Sequence, residues 1–144
     1  MTQLTAKREV FVQASPESVW RIHADIDAWH QWQPDITTAK LSGPIAVGGV
    51  FRWKSGGLAI TSTIQDLEPN RKISWSGKAI GTQAHHSWTF RLQESGTTIT
   101  TEESMEGWLV SLLKLVSPRF LDKSLDTWLR SLKAKAEASG NRVR

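Results

Sequence analysis

Residues 82–106 read TQAHHSWTFRLQESGTTITTEESME, and the way its two alternating runs pair decides the fold. The turn signal ESG at 94–96 separates them, so they form an antiparallel hairpin. With Ser95-Gly96 as a two-residue loop, Leu92 faces Ile99, Phe90 faces Thr101, Trp88 faces Glu103 and His86 faces Met105. Leu92, Phe90, Trp88, Ile99 and Met105 then share one face, which a slip of one residue would scatter. His86 points inward with them and His85 points to solvent. Two histidines on opposite faces of a strand cannot chelate one ion, and the chain has no cysteine, so no metal site is expected here.

Upstream of the hairpin the period is also two, interrupted by turn signals. Strands are expected near 37–42, 49–54, 58–67 and 71–77, joined through GPIAVGG, KSGG, EPN and GKAIG, before strands at 82–93 and 97–106. Connections this short make neighbours antiparallel. A further strand, REVFVQA (8–14), opens the chain. Ser15-Pro16-Glu17 then starts a helix with a serine cap, a proline in the first turn and an acid beside it. DAWHQWQPD (27–35) is a short helical turn ended by Pro34.

Downstream, Trp108–Val116 (WLVSLLKLV) reads as a short helix. Ser117-Pro118 reads as the cap and first residue of a longer one, leaving 108–116 able to move as a gate. Leu121, Leu125, Trp128, Leu129, Leu132 and Ala136 recur at three and four, the stripe of a helix of about 20 residues and about 30 Å. One strand, two short helices, six strands and a long terminal helix make an α+β domain spanning residues 1–144. One face of its seven-stranded antiparallel sheet must be covered by that helix.

Composition excludes several functions. The net charge is +4 over 144 residues, but the basic residues are scattered. Their only clusters are Lys7-Arg8 and Lys133, Lys135, Arg142 and Arg144, not the dense stripe of a nucleic-acid footprint. No apolar run resembles a signal peptide or approaches a membrane span, so a cytoplasmic protein is expected. Nothing resembles a nucleophile elbow or a phosphate loop, and no cofactor is expected. The eight tryptophans, with four phenylalanines and no tyrosine, are more informative. Phe51 and Trp53 share one strand face, as do Leu58, Ile60, Ser62 and Ile64, and then Ile73 and Trp75. Each alone reads as core. Together they form a wall too aromatic for one Leu/Ala helix to pack, so part of it is expected to line a void.

The chain resembles the polyketide cyclase/dehydrase-like branch of the START and birch-pollen-allergen (SRPBCC) superfamily. The resemblance rests on ASPESVWRIHADIDAWHQWQPDI, GGVFRWKSGG, IQDLEPNRKISWSG, HHSWTF, GTTITTEESMEG and WLRSLKAKAE, in this order over nearly the whole chain. It implies a helix-grip fold, with a curved sheet wrapped around the terminal helix and a deep cavity between them. A small hydrophobic or amphipathic ligand, lipid-like molecules included, would bind there. Trp29 and Trp32 would lie near one end of that cavity as a lid or as a cap on the sheet edge, and Trp108, with Leu112, could play the same part. Phe51, Trp53, Ile60, Ile64, Trp75, Trp88 and Phe90 would form its wall.

The polar group on that wall is Glu103, diagonal to His86. The pair is either a structural hydrogen bond or an acid/base pair in an apolar pocket. Two functions follow. One is a carrier, sensor or sequestering protein, monomeric or homodimeric. The other is a cyclase, dehydrase or isomerase acting on a polyketide-like or aromatic substrate, with Glu103 and His86 moving protons.

Overall fold

The computed structural model describes residues 3–140; Arg142 and Arg144 of the basic cluster lie outside them. Seven antiparallel strands form one curved sheet: β1 (Gln3–Val12), β2 (Ile36–Leu41), β3 (Val50–Ser55), β4 (Leu58–Glu68), β5 (Lys72–Ala79), β6 (Thr82–Gln93) and β7 (Gly96–Glu106). Their order is β1-β7-β6-β5-β4-β3-β2. Every connection from β2 to β7 joins spatial neighbours, and the first and last strands, β1 and β7, pair with each other. The strand β1 is five residues longer at its start than the alternation of REVFVQA suggests. QLTAK (3–7) continues the pairing with β7, down to Gln3 opposite Glu106.

Helix α1 (Pro16–Ala24) begins as its sequence dictates, with Ser15 Oγ accepting the Ser18 N–H at 3.1 Å and Pro16 in the first turn. A 3-10 helix, Ile26–Gln31, follows and stops before Pro34. Helix α2 (Trp108–Val116) leaves β7 at Gly107, whose φ of 122° is open to glycine. A Cβ there would lie 2.3 Å from the Gly81 carbonyl oxygen. Helix α3 (Phe120–Gly140) crosses the sheet. The break between α2 and α3 falls where Pro118 predicts, but Ser117 is not the cap of α3. Its N–H closes α2 on Leu113 O at 2.7 Å, and α3 starts at Phe120, two residues after the proline.

The β6–β7 register is shifted by two residues from the expected one. Phe90 faces Ile99, Trp88 faces Thr101 and His86 faces Glu103 directly. The loop is Glu94-Ser95, with Glu94 at φ 55°, and Gly96 belongs to β7. Gly96 is needed in the strand because a Cβ there would lie 2.4 Å from Val12 O and 2.6 Å from the Phe11 ring. The glycine serves a close approach by β1, not the turn. A shift of two keeps every side chain on its expected face. Leu92 keeps its face too, but lies past the end of the covered region and is 66% exposed.

Candidate functional site

The inner side of the sheet divides into two halves. In the first, aromatic rings from separate elements interlock: Trp29 from the 3-10 helix, Phe51 from β3, Trp75 and Trp88 from β5 and β6, and Trp128 from α3. All are at most 2% exposed. Trp29 meets Phe51, Trp53 and Trp128 edge to face at centroid distances of 5.4, 5.4 and 5.1 Å, and its Nε1 donates to His23 O at 2.8 Å. Trp128 stands 5.3 Å from Trp88 and 6.1 Å from Trp53.

The void expected along part of this wall does not lie here, where the wall is packed. The helix facing it brings Trp128 as well as leucine and alanine, and α1 and the 3-10 helix add His23 and Trp29. Phe51, Ile64, Trp88 and Phe90 are therefore buried core. Trp29 is the centre of that core and not a lid, and Trp32 is half-buried against Trp128, 5.9 Å away.

The second half is under-filled. Below Trp53 and Trp75 the inward residues become small or half-buried: Leu58, Ile60, Gly77, Ala79, Ala84 and Met105. A cavity of about 40 Å³ lies among them, with Glu103 on its wall. Of the expected ligand contacts, Trp53, Ile60 and Trp75 line it. Trp108 and Leu112 do not: they are 63% and 52% exposed, on the outside of α2. The helical stripe of α2 could not reveal which of its sides faced the sheet, because nearly every residue in it is apolar.

Glu103 and His86 are adjacent. His86 is 1% exposed, with Nδ1 3.6 Å from Glu103 Oε1 and Nε2 2.8 Å from Thr101 Oγ1. The Thr101 hydroxyl donates its one proton to Ser87 O at 3.1 Å. It must therefore accept from His86 Nε2–H, which assigns the tautomer from the network and turns the Nδ1 lone pair toward Glu103. Burial lowers the His86 pKa well below 6.5, assisted by His23 and His85, and pushes the Glu103 carboxyl up to about 8. Desolvation drives both toward neutrality, so at neutral pH the pair is a carboxylic acid beside an imidazole, not an ion pair. The 3.6 Å gap is too long for a hydrogen bond and leaves the acid proton available to the cavity. His85 is exposed on the outer face.

One buried polar group has no place in the sequence reading. His23 is fully buried amid Trp75, Trp88, Phe90 and Trp128, its ring 4.4 Å from Trp88, and neither ring nitrogen has a hydrogen-bond partner. Burial lowers its pKa to about 3. Its spacing of four from Val19 on α1 is the signal that places it on the buried face.

No curated protein sequence matches this chain. Several solved structures do match in shape. The Zhui aromatase/cyclase of a Streptomyces species covers 99% of this chain and 97% of its own, with TM-score 0.84 and 16% identity. A START superfamily protein of Mycobacterium smegmatis covers 93% and 97%, with TM-score 0.74 and 18% identity. A hypothetical protein of Helicobacter pylori covers 94% and 88%, with TM-score 0.80 and 16% identity. At these identities the likeness establishes the helix-grip fold. The sequence itself matches one family over residues 3–137, and the chain belongs to it: the polyketide cyclase / dehydrase and lipid transport family.

Proposed function

We propose that this protein binds a small hydrophobic or amphipathic molecule along the under-filled half of the sheet, anchored by the neutral Glu103 carboxyl. The observation that carries this reading is a carboxyl on the wall of an apolar trough, where burial raises its pKa to about 8. Such a group donates its proton to a carbonyl, hydroxyl or other oxygen acceptor on the ligand. About 40 Å³ holds little more than a water molecule. A ligand must therefore extend outward over half-buried Leu58, Ile60 and Ala79 or displace them.

The second reading is a cyclase, dehydrase or isomerase. It is favoured by the closeness of Glu103, a proton donor at the cavity, to His86, whose Nδ1 stands 3.6 Å away and whose ring is held from behind by Thr101 and Ser87 O. The fold shared with an aromatase/cyclase supports an aromatic or polyketide-like substrate.

One experiment separates the two. Freshly purified protein is examined by native mass spectrometry for a co-purified molecule, and that molecule is titrated into the wild type and Glu103→Gln. On the binding reading, affinity for ligands with a polar head falls while apolar ligands bind as before. On the enzymatic reading, affinity is nearly kept and turnover falls by about a hundredfold or more. A saturable ligand that binds equally to wild type, Glu103→Gln and a trough-blocking Ile60→Trp would remove the trough as the site.

A further inference from the structure

We infer that the tip formed by α2 and the β5–β6 turn is a docking surface for an anionic lipid bilayer, independent of which molecule fills the trough. In α2, Trp108, Leu112, Leu115 and Val116 stand at spacings of four, three and one, which puts them on one side of the helix. They are 63%, 52%, 82% and 74% exposed, while Val110 on the opposite side is fully buried and fixes the orientation. Ile80, 68% exposed in the β5–β6 turn, adjoins them. Its neighbour Gly81 packs so closely on Trp108 that a Cβ would lie 2.5 Å from the ring. Single exposed apolar side chains are ordinary, but five large ones at one tip form a patch that water disfavours.

The surrounding charge selects the occupant. Lys78 lines the same surface hollow as Trp108, Lys114 is the one charged residue of α2, and Arg119 follows it. Neither Lys78 nor Lys114 enters an ion pair among the described residues, whereas Arg119 lies 3.9 Å from Asp122. The acids at this tip are Glu106 and the Asp122 beside Arg119, so Lys78, Lys114 and Arg119 leave it net positive. A second copy of the chain would bring cations against cations. An anionic headgroup layer complements them, while tryptophan sits at the interface and leucine and valine reach the acyl boundary. A nine-residue helix is too short to span a bilayer, so α2 lies in its plane. Lys78, Ala79 and Thr82 border both the tip and the Glu103 cavity, so docking brings the trough to the membrane.

Co-flotation of the full chain with phosphatidylcholine vesicles, with and without phosphatidylglycerol, tests this. The expected result is binding to the anionic vesicles that weakens with salt, lowered roughly tenfold or more by Leu112→Ser with Leu115→Ser. Lys78→Glu with Lys114→Glu should abolish the preference for phosphatidylglycerol. Both pairs are exposed, and circular dichroism melting reports whether the fold is intact. If Leu112→Ser with Leu115→Ser will not fold, Trp108→Ser provides the same comparison. Equal flotation of wild type and folded variants overturns the proposal. So does an absence of flotation, and if sedimentation then shows a self-association that the serine variants lose, the patch is a protein interface.

Discussion

The two halves of the sheet's inner face are built from the same strands, yet one is closed and the other open. Where Trp75 and Trp88 meet Trp29, Phe51 and Trp128, five separate elements deliver rings that lock together, mostly edge to face. Where β4, β5 and β6 continue past them, Ile60, Gly77 and Ala84 are what remains, and a cavity forms. The difference is one of supply. Helix α3 carries one tryptophan, and that ring serves only the first half.

The largest effect should come from removing it. Trp128 contacts Trp29, Trp32, Trp53, His86 and Trp88, and Trp128→Ala should destabilise by about 3–5 kcal/mol in urea unfolding. Ile60→Ala in the open half should cost about 1 kcal/mol or less, since Ile60 is already half-solvated. A Trp128→Ala variant of near wild-type stability that binds apolar probes better would show that the aromatic half is a closed binding chamber.

The fold was legible because its signals are local. The caps at Ser15, the short turns between strands and the stripe from Leu121 to Ala136 each report on a few neighbouring residues. The face of every hairpin residue was legible too, since it depends only on parity. What stayed hidden depends on contacts between distant segments. Gly96 reads as a turn glycine until β1 is packed against it. Trp29 reads as a lid or a sheet-edge cap, and Trp128 as one apolar position among several, until they meet 5.1 Å apart. Of the site, the Glu103–His86 pairing was readable from one hairpin. The exposure of Trp108 and the solitary burial of His23 were not.

Each half contains a titratable group shifted by desolvation, fully buried His23 in one and half-buried Glu103 in the other, and their pH effects have opposite sign. The His23 pKa falls from 6.5 to about 3 in the fold, so between those values the unfolded chain binds the extra proton and stability is lost as pH falls. His86 is lowered as well and acts in the same direction. The Glu103 pKa rises from 4.5 to about 8, so between those values the folded protein binds the extra proton and stability is lost as pH rises. Two histidines outweigh one carboxyl below pH 6.5, and above it Glu103 acts alone. Stability should therefore peak near the unfolded-histidine value. Glu103→Gln should remove the fall toward pH 8, a gain on the order of a few kcal/mol there. His23→Leu should flatten the acid side. Melting temperatures from pH 4 to pH 9 check both, and an alkaline slope unchanged in Glu103→Gln would mean the carboxyl is ionised in the fold.

The smallest change in stability should come from enlarging a side chain in the open half. Ala84 lines the cavity and lies opposite Gly77 and Met105. Ala84→Val adds two methyl groups facing unfilled space, so its effect should stay within about 1 kcal/mol of zero. The corresponding enlargement in the closed half, Ile73→Phe, meets a site with no exposure and should cost about 1–3 kcal/mol through overpacking. Ligand binding should respond in the reverse order. Ala84→Val should weaken an apolar probe that enters the trough, and Ile73→Phe should leave it nearly unchanged. Guanidinium unfolding and probe fluorescence on the same two variants read both quantities. Should Ala84→Val cost as much as Ile73→Phe, the lower sheet has no room to give, and a ligand there must displace side chains before it binds.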